Sequence, residues 1–266
     1  MKGVILAGGL GTRLEPLTRV TNKHLLPIYD RPMIYYPIQC LLNAGIDEIL
    51  IVTGGEHAGD FLKLLGNGKR LNVKDLHYTY QEGEGGIADA LKLAEDFAEN
   101  GRICVILGDN IIERDICEPV RAFKEQPSGA KLLLKEVPDP QRFGVSRIED
   151  GRLIEIIEKP AEPASNLAVT GIYMYDSDVF AIADTLAPST RGELEITDVN
   201  NAYLARGDLT YDILEGWWTD SGTFQSLHRA SCLVVADGAN RVSTSATPML
   251  GMVNVSPSGK SVIQST

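Results

Sequence analysis

Residues 1–13, Met1-Lys-Gly-Val-Ile-Leu-Ala-Gly-Gly-Leu-Gly-Thr-Arg13, decide how the chain is read. Gly3–Ala7 is a short apolar run with the composition of a buried strand. It leads straight into Gly8, Gly9 and Gly11, with Thr12 and Arg13 behind them and Lys23 further on. Glycines lack a Cβ, so the backbone can take positive φ and come close to a ligand. A strand, a glycine turn and two cations describe a place where N–H groups close on phosphate oxygens while side chains neutralise them. Two familiar phosphate motifs do not fit. A P-loop needs Gly-Lys where the chain has Arg13 or Leu14, and a dinucleotide fingerprint needs a third glycine where Leu14 stands. An NAD-dependent oxidoreductase is therefore disfavoured. A plain tight turn is the bland reading of Gly8-Gly9; Arg13 and Lys23 favour the phosphate reading.

Charge distribution agrees. Met1–Arg31 carries five basic residues (Lys2, Arg13, Arg19, Lys23, Arg31) against Glu15 and Asp30, while the 266-residue chain has a net charge of −11. A basic segment in an acidic protein fits a focused anion site, not a nucleic-acid surface. With 44% hydrophobic and 23% charged residues, the chain can fill the core of one large α/β domain. It has no apolar run of the ~18–20 residues a membrane span needs, and no secretion signal is visible. Cys40, Cys104, Cys117 and Cys232 are scattered, so neither zinc nor disulfides are expected. A cytoplasmic protein with no membrane or nucleic-acid partner is the expectation. His24, His57, His77 and His228 show no metal-ligand spacing.

Strand and helix signals alternate through the first half. Strands are expected at Gly3–Ala7, Glu48–Thr53, His77–Tyr80, Ile103–Leu107 and Lys131–Val137. Helices are expected at Met33–Asn43, His57–Leu65 and Ile87–Ala98. The pattern predicts an α/β fold with a mostly parallel sheet and helices on both faces. In the second half Glu149-Asp150-Gly151 predicts a hairpin of Gly144–Ile148 with Leu153–Glu158, and Ala168–Tyr175 a further strand. These strands should cover the cleft. We expect a domain over 1–235 and a Ser/Thr-rich tail over 236–266, either loose or contacting a partner subunit in a homo-oligomer.

Several residues suit phosphate and sugar chemistry, each with an ordinary alternative. Asp109 ends a buried strand, where a carboxylate can hold Mg²⁺ against phosphates; an Asp-Asn turn with Asn110 is the plain alternative. Asp220, beside Trp217-Trp218, is a second such carboxylate or a helix N-cap. Gln81 can read a base edge, and Gly85-Gly86 leave room for a flat ring; the alternative is a flexible loop. Glu158-Lys159 is a solvated strand end, or a hydroxyl acceptor beside a phosphate-binding cation. The acids between Arg191 and Asp198 suit a helix start.

In order, GVILAGGLGTRLEPLT, NKHLLPIYDRPMIYYPI, GGIADAL, ILGDNI, RFGV, IIEKP, AVTGIYMYD, RGELEITDVN and GWWTDSGT resemble the sugar-1-phosphate nucleotidyltransferases over roughly residues 1–235. The resemblance implies a Rossmann-like nucleotidyltransferase fold and a direct displacement in which a sugar-1-phosphate oxygen attacks the α-phosphorus of a nucleoside triphosphate. The implied substrates are dTTP and glucose 1-phosphate, with Mg²⁺. UTP or another sugar phosphate remains an alternative, as does a non-catalytic nucleotide-sugar sensor. By similarity Gly8, Gly9, Gly11, Thr12, Arg13 and Lys23 take the triphosphate, and Gln81 and Gly86 the base. Asp109 and Asp220 hold the metal. Asn110, Gly144, Glu158, Val169 and Tyr173 line the sugar pocket, and Lys159 grips the sugar's phosphate. Arg13, Lys23, Asp109, Lys159 and Asp220 are the implied catalytic set. The chain departs from the family at Asp89, where members often carry glutamine, which bears on base choice. Longer members use a helical C-terminal region for allostery and tetramer contacts, and the resemblance, which fades after about Val235, implies that much of that region is not to be expected in this sequence.

Overall fold

The computed structural model describes residues 1–242. The chain begins with β1 (Lys2–Ala7), the glycine turn, and a small arm of β2 (Pro27–Ile28) and β3 (Arg31–Pro32). Next come α1 (Tyr35–Asn43), β4 (Glu48–Gly54), α2 (Ala58–Leu65) and β5 (Asp75–Gln81). They are followed by α3 (Ile87–Lys92), α4 (Glu95–Ala98), β6 (Ile103–Leu107), β7 (Asn110–Ile112), α5 (Cys117–Glu125) and β8 (Ala130–Glu136). The second half supplies the hairpin β9 (Gly144–Glu149) and β10 (Arg152–Glu158), then β11 (Leu167–Tyr175) and α6 (Asp178–Asp184). It closes with α7 (Ile196–Arg206), β12 (Leu209–Ile213), β13 (Trp218–Asp220) and α8 (Phe224–Asp237).

One nine-stranded sheet organises the molecule, in the order β10-β9-β11-β6-β1-β4-β5, with β8 on β11 and β12 on β8. β5, β4, β1 and β6 are parallel, and β11 runs antiparallel to β6, β8 and β9. The parallel strands are laid down outward from β1 to β5; the chain then returns to add β6 on the other side of β1. Open sheets bind ligands at the carboxyl ends of the strands flanking such a reversal. The glycine turn leaves β1 there and Asp109 leaves β6 there.

The period-2 pattern of β1 builds a core on each face. Val4 and Leu6 pack with Ala88, Leu91, Val179 and Tyr203 on the α3, α6 and α7 side. Ile5 and Ala7 pack with Ile38, Leu41, Phe61 and Phe123 on the α1, α2 and α5 side. The helix expected over Ile87–Ala98 is broken: Ala94 N–H donates to Leu91 O at 3.0 Å, a tight turn that separates α3 from α4. Ala88, Leu91, Ala94 and Ala98 nevertheless share one buried face across the break, with Ile87 and Phe97 partly buried against it.

α8 starts with a capping box in which Thr223 and Ser226 exchange side-chain-to-backbone hydrogen bonds. It packs on the β2–β3 arm, where Ala230 meets Ile28, Met33 and Tyr36. The helix runs through residue 235 to Asp237, and the chain then returns to β7. Asn240 N–H donates to Ile112 O at 2.9 Å, Arg241 N–H to Glu113 O at 2.7 Å, and Asn240 Nδ2 to Tyr36 O at 2.8 Å. The rest of the expected tail, 243–266, lies outside the described residues. No helix among the described residues is long and apolar enough to cross a membrane.

Phe61 is fully buried between α2 and the sheet. Phe61→Ala should cost about 3–5 kcal/mol of folding stability, read as a lowered urea midpoint with an unchanged m-value.

Candidate active site

Lys23 is laid across the glycine turn. Gly11 has φ +71°, and a Cβ on it would stand 2.8 Å from Lys23 Cβ; one on Gly9 would stand 3.5 Å from Lys23 Cε. At Gly11 the turn accepts the lysine only because glycine stands there; at Gly9 the lysine lies in ordinary van der Waals contact. Lys23 Nζ then donates to Asp109 Oδ2 at 2.7 Å. Both side chains are 14% exposed. Burial alone would raise the Asp109 carboxyl, but the Lys23 charge and hydrogen bond, with a further bond from Asn110, hold it well below the usual range. Next to this pair His24 is buried, and Asn22 Oδ1 accepts from both its backbone N–H (2.9 Å) and Nδ1 (2.7 Å). Burial, then the Lys23 charge, push His24 down to about 3, so its ring is neutral near pH 7.

The second carboxylate faces the first. β13 pairs antiparallel with β7, placing Asp220 opposite Asn110. Asp220 accepts from Arg142 Nη2 at 3.0 and 3.2 Å. Burial, then the Asp109 charge, raise its carboxyl despite the opposing Arg142 and Arg13. The convergence has a direct measure at Gly222. A Cβ there would lie 3.2 Å from Arg13 Nη2, 3.5 Å from Asp220 Oδ2 and 3.7 Å from Asp109 Oδ2.

The antiparallel half forms the other wall. Glu158 Oε2 accepts from Thr197 Oγ1 at 2.6 Å, and Glu158 Oε1 lies 3.2 Å from Lys159 Nζ and 3.5 Å from Arg191 Nη2. A Cβ on Gly144 would stand 3.3 Å from Thr197 Oγ1 and 3.4 Å from Glu158 Oε2, so glycine lets β9 pass close beneath this network. Lys159 has φ +43°, a left-handed backbone uncommon outside glycine, and its N–H donates to Phe143 O at 3.0 Å. Asn110 is fully engaged: its Oδ1 accepts from Gly171 N–H at 2.9 Å and Trp218 Nε1 at 2.6 Å.

On the far side of the glycine turn, Gln81 Nε2 donates to Gly86 O at 3.1 Å and to Asp89 Oδ2 at 2.8 Å. The side-chain direction at Gly85 and Gly86 is filled by protein, while Gly86 itself lines the cleft. A Cβ on Gly86 would meet Leu194 O at 2.6 Å, and one on Gly85 would meet Asp89 Oδ2 at 2.5 Å.

These walls enclose one cleft of about 660 Å³. Of the residues anticipated from sequence, Gly8, Gly9, Arg13, Lys23, Gln81, Gly86, Asp109, Asn110, Gly144, Glu158, Lys159, Val169, Tyr173 and Asp220 line it. Gly11 and Thr12 do not; they sit on the outer part of the turn, where Thr12 opens a 3-10 turn. Arg142, Phe143, Arg191, Glu193, Glu195 and Thr197 also line it and were not foreseen as site residues. The expected helix start is real, since Glu195 is the N-cap position of α7. Its carboxylate does not cap the helix, however; it accepts from Ser189 Oγ and Arg191 Nη2, both at 2.7 Å. Asp220 closes β13, and Thr223 is the N-cap of α8.

The fold and this cleft, with Arg13, Lys23 and Lys159 on its walls, define a nucleotide-handling transferase class. The nucleotidyl transferase family profile matches residues 2–236, and the chain belongs to that family. The chain is 44% identical over 238 residues to a glucose-1-phosphate thymidylyltransferase of Neisseria meningitidis, covering 88% of this chain and 82% of the relative. It is 45% identical over 234 residues to one from Xanthomonas campestris pv. campestris, covering 86% and 79%. A Bacillus anthracis crystal structure assigned as a glucose-1-phosphate thymidylyltransferase, with sucrose bound, superposes with a TM-score of 0.85 at 55% identity, covering 89% of this chain and 96% of that one. A UDP-glucose pyrophosphorylase complexed with UDP-glucose superposes with a TM-score of 0.80 at 25% identity, covering 88% and 98%.

A neutral His24 gives the fold an acid sensitivity. The unfolded chain binds this proton near pH 6.5 and the folded protein only near 3, so stability falls as pH drops through that window. His24→Gln should reduce the slope of unfolding free energy against pH there by up to about 1.4 kcal/mol per pH unit. Urea titrations at several pH values measure it.

Proposed function

We propose that this protein transfers the thymidylyl group of dTTP to α-D-glucose 1-phosphate, yielding dTDP-glucose and pyrophosphate. The observation that carries the reading is the convergence of Arg13, Asp109 and Asp220 on one point beside Gly222, in a cleft whose opposite wall holds Glu158, Lys159 and Arg191. The names of the relatives supply the substrates. The reaction is a direct displacement. A phosphate oxygen of glucose 1-phosphate forms a bond to the α-phosphorus of dTTP, and the bond to the bridging oxygen of the leaving pyrophosphate breaks. No side chain forms a covalent intermediate, so the protein contributes alignment and charge stabilisation.

Gly8 and Gly9 let the backbone approach the triphosphate, and Arg13 faces the pyrophosphate as it leaves. Lys23 adds positive charge there and holds Asp109 in place. Gln81 reads the base. Lys159 and Arg191 flank the sugar's phosphate, while Glu158 accepts from a sugar hydroxyl; Gly144, Val169 and Tyr173 shape the pocket around the ring.

Asp109 and Asp220 fit a magnesium ion. They are hard oxygen donors, and the raised Asp220 carboxyl beside Asp109 marks a place short of positive charge. No group of three or more potential ligands stands among the described residues. That suits Mg²⁺, which takes one or two carboxylates and completes its shell with phosphates and water. The ion would supply neutralisation of the triphosphate, and these two residues would hold it. The likeness to a structure holding UDP-glucose favours a second reading: the same chemistry with UTP.

Pyrophosphate release, scored over dTTP, UTP and other triphosphates against several sugar 1-phosphates, tests the proposal. dTTP with glucose 1-phosphate should give the highest kcat/KM, and no turnover with any pair would overturn it. Asp109→Asn should lower kcat about 10²–10³-fold at saturating Mg²⁺. Lys159→Ala should raise KM for glucose 1-phosphate about 10–100-fold, leaving KM for dTTP nearly unchanged.

A further inference from the structure

Asp89 lies outside the lining of the cleft yet controls what the cleft offers to a base. The Gln81 side-chain amide is buried, and its nitrogen has two partners, Gly86 O and Asp89 Oδ2. A carbonyl and a carboxylate only accept hydrogen bonds. Turning the amide over would set Oε1 against two acceptor oxygens and strand the NH₂ group, so one orientation is imposed. In that orientation Oε1 faces Gly8, 2.7 Å from where a Cβ on that residue would stand, and it accepts from no protein group among the described residues. Gly8 lines the cleft. The amide therefore presents an acceptor, and only an acceptor, to a ligand ring.

We propose that Asp89 is a positioning residue that locks the Gln81 carbonyl into the cleft, so that the site selects bases carrying an imide N–H. This deepens, and rests on, the reading of the cleft as a pyrimidine-nucleotide site. Thymine and uracil carry N–H at ring position 3 and can donate to Oε1. Cytosine has a bare ring nitrogen there, which would oppose Oε1. An amide at position 89 could turn either end toward Gln81 and would release the lock; the carboxylate cannot. The departure at Asp89 therefore sharpens discrimination against cytosine, and it does not separate thymine from uracil.

The test compares Asp89→Asn and Asp89→Ala with the unmodified protein. kcat/KM is measured for dTTP and dCTP with glucose 1-phosphate, and binding of both nucleotides is measured by calorimetry. The unmodified protein should prefer dTTP. In both variants the preference should fall about tenfold or more, the worth of one charge-assisted hydrogen bond. The change should sit in KM for dTTP, with kcat, KM for glucose 1-phosphate and the thermal midpoint retained. An unmodified protein indifferent between dTTP and dCTP overturns the inference. So does an unchanged ratio in both variants, or one that moves only together with sugar-phosphate KM and thermal midpoint. If the unmodified protein binds dTTP preferentially but releases no pyrophosphate, the transfer reading falls and the lock stands.

Discussion

The Lys23–Asp109 contact is the constraint around which this molecule is arranged. It joins the segment after β1 to the end of β6, the two strands between which the sheet changes direction. Burying an ion pair costs desolvation that the mutual attraction offsets only when geometry is close and other polar groups are satisfied. The surroundings meet that demand. Gly11 and Gly9 give way to the lysine, Asn110 supports the carboxylate, and a Cβ on Gly108 would stand 2.7 Å from the His24 ring. Gly11 and Gly108 are each required by a neighbouring side chain. The same burial keeps His24 neutral near pH 7, and the Lys23 charge is the largest influence holding Asp109 down.

Division of labour follows from the sheet. The parallel strands end in turns, and their backbone amides and cations suit a polyphosphate. The antiparallel strands present successive side chains from β9, β10 and β11, and these suit a ring with hydroxyls. Arg142 stands between the two halves. It bonds Asp220 and, at 2.8 Å, Asp139, so the second carboxylate is held from the antiparallel half of the sheet while it faces Asp109 and Arg13. Asn110 performs the same bridging beneath, tying the residue after Asp109 to Gly171 on β11 and Trp218 on β13.

Much of this was legible in the sequence because it is local. Apolar runs such as Ile103–Leu107, short and bounded by turn residues, read as buried strands, and the glycines and carboxylates at their ends declare themselves by position. The alternation of strand and helix signals through the first half foretold a helix layer on each face. What escaped was non-local. Arg142 is 78 residues from Asp220; RFGV marked its segment by resemblance, but nothing local paired the arginine with that carboxylate. Arg191 and Glu195 resemble an ordinary helix start, and only folding shows the carboxylate turned to Ser189 and Arg191. α8, whose serines, histidine and arginine blur its periodicity, also went unread; the Thr223 capping box was its one local sign. Gly86 was anticipated for the right place and a different cause, since its missing side chain makes way for Leu194.

The return of the chain after α8 has a bearing on where this protein can be cut. Asn240 and Arg241 zip onto β7, whose first residue is Asn110, and Asn240 also latches onto α1 through Tyr36 and accepts from Asn43 Nδ2 at 2.8 Å. The last described turn is thus a clasp on the strand that braces Asp109. Trimming at residue 235, where the family-like sequence fades, would open that clasp and loosen from behind the floor of the corner where Asp109 and Asp220 meet. An expression boundary drawn by similarity alone would sacrifice a support that similarity does not mark.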